Sequence, residues 1–284
     1  HTIHISHIKK IIYVLYIMVF KLSRKKSKKY GGEDETPLSI DKVVINENAG
    51  YATGTVTLND KNDSILIDNG RLLYVEQGSE KDDQVNNKAI VQGSAIKSIK
   101  RSFLSNENIF ITKYTGSNSG KPVKIHFGGA SPGDITRIVI KPNESFTLSS
   151  GSFVAGSSNL NISARLNVRG IFSGEGIGLT LIKNKSSKNG HVYIGCFGKA
   201  SQLKVKTGSE VLLDNGAYLA SKNINGEKAY TLTKLKGIRS FFLSGEGILM
   251  KFKNTSNEDM IVYTQSRNLN NFAEILGPYL PSKK

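Results

Sequence analysis

Three glutamates, Glu107, Glu175 and Glu246, stand at matching places in three similar stretches of this sequence, each preceded by an arginine, Arg101, Arg169 and Arg239. A threefold set of carboxylates and guanidinium groups could bind a ligand or move protons. Acid–base work by paired carboxylates needs two groups within about 5–10 Å, in surroundings that separate their pKa values. Positions related by repetition offer no such asymmetry. Each Glu sits between small residues or asparagines, so it reads as a turn residue or as the ion-pair partner of its own Arg. These six are the binding candidates of the chain, and no residue is read as catalytic.

Metal chemistry on a β scaffold draws on clustered histidines with a carboxylate. Beyond the first few residues the chain has only His126 and His191, in separate strands without a His-x-His pair. Both read as core or surface imidazoles, and neither a metal nor a cofactor is expected. Cys196, between Gly195 and Phe197, reads as a buried small side chain. As the only cysteine it excludes an internal disulfide, which weighs against an oxidising compartment.

Two glycine-rich stretches imitate phosphate loops. Gly116-Ser-Asn-Ser-Gly-Lys-Pro122 is one residue short between its glycines and has Pro where a metal-binding hydroxyl belongs. Gly174-Glu-Gly-Ile-Gly178 places an acid where pyrophosphate would approach and lies between strands. Both read as turns. Basic clusters at Lys97, Lys100 and Arg101, and at Lys204, Lys206, Lys234, Lys236 and Arg239, lack interleaved aromatic residues and read as solvated strand faces.

The elements that would carry these residues are short. From Glu35 onward, runs of Val, Ile, Leu, Thr, Tyr and Phe alternate with Gly, Asn, Asp and Ser clusters, which predicts an all-β body. The runs include Thr53–Leu58, Ser64–Ile67, Lys121–Phe127, Ile135–Ile140, His191–Ile194 and Met260–Thr264. A repeat underlies them. One turn recurs as Ile65–Leu73, Phe146–Val154 and Val211–Leu219; Asn69-Gly70 and Asn215-Gly216 supply positive φ, and the turn reads as a tight hairpin.

The Arg and Glu stretch follows each turn, and a closing strand ends each unit. Repeats are placed at about 35–129, 130–199 and 200–266. One unit has too little core to stand alone, so a closed pseudo-threefold body is expected, each unit covering the sheet edges of its neighbour. After the last repeat, Leu269, Phe272, Ile275 and Leu276 share one face of a short helix at 267–277, predicted to dock by that face.

Half of the +16 net charge lies in residues 1–32, which contain no acid. The apolar run Ile11–Phe20 inside this segment is too short to span a hydrocarbon core of ~30 Å, which needs ~20 residues. Residues 1–34 read as a basic tail, a targeting segment or a membrane-surface anchor. Met18 is an alternative start. Five Asn-x-Ser sequons, Asn143 and Asn254 among them, read as coincidences of an Asn- and Ser-rich chain.

The Arg239-Ser-Phe-Phe-Leu-Ser-Gly-Glu-Gly-Ile segment, its weaker copies at Arg169 and Arg101, and Gly151-Ser-Phe-Val-Ala resemble the Altered inheritance of mitochondria protein 24 family. The resemblance covers about residues 38–281 and departs at Asn106-Glu-Asn108, where the other copies have Gly-Glu-Gly. It implies three TRAP-like short double-stranded β-helix units about a pseudo-threefold axis. It also implies a role in mitochondrial inner-membrane organisation and brings no catalytic residues.

The expectation is therefore a non-catalytic scaffold or assembly protein acting on protein partners or a membrane surface, with homo-oligomerisation open. An RNA-binding module on the basic strand faces is the alternative, and a cupin-like metal enzyme the third reading. The location is the mitochondrion, at the inner membrane, if the first segment is genuine, and otherwise cytoplasmic or viral.

Overall fold

Alternation sets the strands. In Thr53–Leu58 the residues Gly54, Val56 and Leu58 are buried while the three threonines between them are partly exposed, the period of a strand with one face in a core. The computed structural model describes residues 42–47, 50–91, 110–149, 151–166, 178–224, 229–233 and 249–279. All six binding candidates, Arg101, Glu107, Arg169, Glu175, Arg239 and Glu246, lie outside the described residues, as does the segment before residue 42.

After β1 (Val43–Asn46) come three sets of six strands. The first is β2 (Thr53–Leu58), β3 (Ser64–Asp68), β4 (Leu72–Glu76), β5 (Asn86–Val91), β6 (Phe110–Thr115) and β7 (Val123–Gly128). The second is β8 (Ile135–Ile140), β9 (Ser145–Ser149), β10 (Phe153–Ser157), β11 (Leu160–Leu166), β12 (Gly178–Asn184) and β13 (Gly190–Gly195). The third is β14 (Ala200–Val205), β15 (Glu210–Asp214), β16 (Tyr218–Lys222), β17 (Tyr230–Thr233), β18 (Leu249–Lys253) and β19 (Met260–Gln265). A short helix, α1 (Leu269–Leu276), follows.

The fold is all-β, in four sheets with the orders β1-β2-β7-β4, β5-β6-β3-β10-β13-β8, β11-β12-β9-β16-β19-β14 and β15-β18-β17. Every pairing between named strands is antiparallel, and the last strand of each set lies between the first and third of that set. A bulge falls at the same place each time: between Leu72 and Tyr74, Phe153 and Ala155, and Tyr218 and Ala220. Successive sets are sewn together by sheet pairing. β10 pairs with β3, and β16 pairs with β9.

Burial follows this stitching. Val56, Leu58, Ile65, Ile67, Ile125 and Phe127 form one core, and the second set adds Val154, Ala155 and Tyr193 to it from across the seam. A central core joins Leu66, Ile138, Ile140, Phe146, Leu148 and Val192 with Leu219, Ala220 and Tyr263 of the third set. A third core holds Met250 with Tyr218, Tyr230 and Phe252, the three rings having centroids 5.7–5.8 Å apart. Both faces of β3 are consumed: Leu66 points into one core and Ile65 and Ile67 into another.

The pairing of β3 corrects the hairpin reading. β3 is flanked by β6 and β10, so no lateral edge is left for β4, and the Asp68–Arg71 turn carries the chain into a different sheet. Gly70 and Gly151 have φ of +88° and +78° at this crossing. Gly216 differs. It lies in a 3-10 turn, Asn215–Ala217, where a Cβ would come within 2.1 Å of the Asn268 side chain as that side chain now stands.

A closed body would pair β4 with β15; among the described residues these two strands each end a sheet and are not paired with one another. The docking expected of the last helix meets a different outcome. Helix α1 leaves Phe272, Ile275 and Leu276 exposed at 41%, 65% and 39%, touching the body through the edge-on contact of Phe272 with Phe197.

Candidate functional site

The outer face of β2, β7 and β4 gathers the polar side chains that stand together most closely. Pairing places Thr55 opposite His126, and His126 opposite Tyr74. Because Val56, Ile125 and Phe127 turn inward, Thr55, Lys124 and His126 turn outward. Gly54 makes the inner packing close: a Cβ there would meet the Phe127 ring at 2.3 Å.

The geometry forms a line. Thr55 Oγ1 lies 3.0 Å from His126 Nδ1, and His126 Nε2 lies 2.9 Å from Glu76 Oε1. The Tyr74 ring stacks on the imidazole with centroids 4.0 Å apart and planes 16° from parallel. Lys124 Nζ sits 3.4 Å from Glu76 Oε2. Hydroxyl, imidazole and carboxylate thus follow the order of a nucleophile, its base and the orienting acid. Acyl transfer also needs backbone donors aimed at a developing oxyanion. Here the N–H groups of β2 and β7 serve the sheet ladders on both sides, and the face is open to water.

The other chemistry-bearing residues stand apart. His191, on β13, is half-buried, and Nδ1 lacks a partner. Burial, with Arg137 nearby, holds its pKa below the usual imidazole value. Cys196 is buried, its thiol donating toward the carbonyl of Gly198 at 3.1 Å, and burial pushes its pKa up. Asp68 is raised to about 6 by burial, against the opposing pull of Arg71. Among the described residues no group of three or more His, Cys, Asp or Glu could hold a metal ion. The phosphate-loop imitation at Gly116 is a turn closed by Ser117 Oγ donating to the Lys121 carbonyl at 2.6 Å.

Position in the strand sets gives the outer face its meaning. His126 pairs with Tyr74 just beyond the bulge; Tyr193 pairs there with Ala155 in the second set, and Tyr263 with Ala220 in the third. Tyr193 and Ala155 are 3% and 0% exposed because they rest on the core of the preceding set. Tyr263 and Ala220 do the same one set later. Tyr74 is 54% exposed. Sequence reading located His126 and missed its partners, because Thr55, Tyr74, Glu76 and His126 come from three strands whose order only pairing reveals.

Comparison with known proteins agrees with this architecture. An uncharacterised protein of Streptococcus pyogenes serotype M6 is 25% identical over 221 residues, 77% of this chain and 83% of the relative. An X-ray structure of a Streptococcus pyogenes protein, 22% identical, superposes with a TM-score of 0.62 over 84% of this chain and 99% of that one. At that identity the likeness is one of fold. The family model described as mitochondrial biogenesis AIM24 matches residues 44–267, most of the chain, and the chain belongs to that family.

Proposed function

We propose that the chain is a non-catalytic scaffold of three TRAP-like units in pseudo-threefold relation, and that the outer face of β2, β7 and β4 is its assembly surface. One observation carries the reading. The positions of His126 and Tyr74 match those by which the second and third sets rest on the set before, so this face has the geometry of a packing surface. The pseudo-threefold relation is supported by the repeated pairing order, the repeated bulge and the two like seams. The exposed Phe272, Ile275, Leu276 and Tyr279 add a second apolar surface for protein or membrane contact.

Placement at the mitochondrial inner membrane is supported by the family description and by the acid-free basic segment at 1–32. No helix among the described residues is long and apolar enough to cross a membrane.

The test is rescue in cells depleted of the protein. His126→Gln removes the imidazole base but keeps a polar side chain of similar reach on the surface, and is expected to restore membrane organisation as the unaltered chain does, whereas Tyr74→Lys, which puts a charge on the surface, is expected not to. A folded His126→Gln chain that fails to rescue while Tyr74→Lys succeeds would turn the reading toward chemistry. Steep loss of RNA affinity with salt would instead favour the nucleic-acid reading.

A further inference from the structure

Among the described residues, two of the three seams that the repeat permits are made within the chain, and at the third β4 and β15 are left as two open edges. The strands concerned are equivalents of those already paired: β4 matches β10 and β16, while β15 matches β3 and β9. Burial separates the made seams from the unmade one. Phe153, Val154 and Ala155 of β10 are 2%, 0% and 0% exposed, and Tyr218, Leu219 and Ala220 of β16 are 1%, 1% and 0%. The matching residues of β4, Leu72, Leu73 and Tyr74, are 37%, 54% and 54% exposed. On the other side, Leu66 and Thr147 are 1% and 2% exposed, while the matching Leu212 is 41%.

An edge strand with apolar residues exposed along its length invites pairing unless charge, proline or a cover prevents it. β4 has neither proline nor charge before Glu76, and β15 confines its charges to Glu210 and Asp214 at the two ends. We propose that the third sheet is completed between chains, β4 of one copy pairing antiparallel with β15 of a second copy.

The made seams fix the register. Ala155 faces Ile67 and Gly156 faces Leu66; Ala220 faces Leu148 and Ser221 faces Thr147. By the same rule Tyr74 faces Leu213 of the other copy, Val75 faces Leu212 and Glu76 faces Val211. The joined sheet has the order β17-β18-β15-β4-β7-β2, matching the order of the two six-stranded sheets. Leu212 then packs under the other copy's first core as Leu66 packs under the second set. The contact is heterologous, so it propagates head to tail into a ring or a filament.

This interface rests on reading the outer face as an assembly surface and names what covers it. Leu73→Lys and Leu212→Lys place a charge on each edge at exposed positions, so both chains are expected to keep the fold, checked by circular dichroism and melting temperature. Sedimentation is expected to show self-association of the unaltered chain and its loss in each variant. An equimolar mixture of the two variants is expected to return to a dimer, because Leu73→Lys retains a good β15 and Leu212→Lys retains a good β4. A monomeric unaltered chain, or a mixture that stays monomeric, overturns the proposal.

A second measurement addresses closure within one chain. Val75→Cys in one chain and Leu212→Cys in another are expected to be joined by a bismaleimide when mixed, with Cys196 buried and silent. If the doubly substituted chain links only to itself, the seam is internal and the proposal fails. Failure here with intact rescue by His126→Gln and loss of rescue by Tyr74→Lys would remove the head-to-tail interface and leave the scaffold reading standing.

Discussion

Asn184 and Asn254 hold matching corners of the second and third strand sets. The Nδ2 of Asn184 donates to the carbonyls of Ile140 and Lys188, each at 2.8 Å, and that of Asn254 donates to the carbonyls of Val205 and Glu258, each at 2.8 Å. Their Oδ1 atoms accept from the N–H and hydroxyl of Ser186 and Ser256. In the first set Ser117 and Ser119 close the same corner with shorter side chains. Two of the five Asn-x-Ser sequons, those at Asn184 and Asn254, are therefore structural turns, and both asparagines are buried.

Replacing either asparagine by alanine takes the side-chain donor from a buried carbonyl, that of Ile140 or of Val205. Asn184→Ala and Asn254→Ala are each expected to lower stability by about 1–3 kcal/mol. Denaturant unfolding of the purified chains checks this, and equal stability would show that water replaces the amide.

Gly54→Ala is expected to destabilise by about 1–3 kcal/mol, because a Cβ at that position meets the Phe127 ring and the core between the first two sheets is already filled. The control is Gly50→Ala. A Cβ at Gly50 meets open space, although its φ of +86° carries its own strain. Melting temperatures of the two chains separate crowding from backbone strain.

The seam between the second and third sets has an ionic guard. Burial pushes the Glu144 carboxyl up, but hydrogen bonds from Lys222 Nζ at 2.6 Å and the Lys141 N–H at 2.9 Å outweigh it and hold the pKa below the usual value. A depressed carboxyl pKa stabilises the native state above the unfolded value of 4.5, and that contribution is lost as pH falls through the lower folded value. Lys222→Met is expected to remove this acid-side dependence and to cost less than about 1 kcal/mol at neutral pH, since the lysine is well solvated. Unfolding free energy against pH reads it.

Asp68 acts in the opposite sense. Its pKa is raised from 3.8 to about 6, so the folded chain holds a proton that the unfolded chain has released, and stability falls as pH rises through that window. Asp68→Asn is expected to gain stability relative to the parent above pH 6 and to show no such gain below pH 3.8. The same unfolding series measures it, and an unchanged difference across the window would mean that the Arg71 pair compensates burial fully.

Much of the secondary structure was legible locally. Thr53–Leu58 and Ile135–Ile140 coincide with β2 and β8 because alternation and β-branching act within one strand. The Asp-Asn-Gly signal at Asp68 located a turn and misjudged its kind, since a hairpin and a crossing between sheets use the same residue types. Of the polar line on the outer face, sequence offered His126 alone. Thr55 and Glu76 read as ordinary strand residues until pairing sets them beside it.

The sequence by itself determined that the chain is built of short strands, that its pattern repeats and which residues alternate inward, because these depend on neighbours one or two positions away. Which strand lies beside which was decided by the tertiary structure. Val154 and Ala155 are buried where the sets are sewn together, while Leu73 and Tyr74 at matching places are bare. An apolar residue carries the same local signal whether another strand covers it or not, and only the arrangement of distant segments supplies that cover.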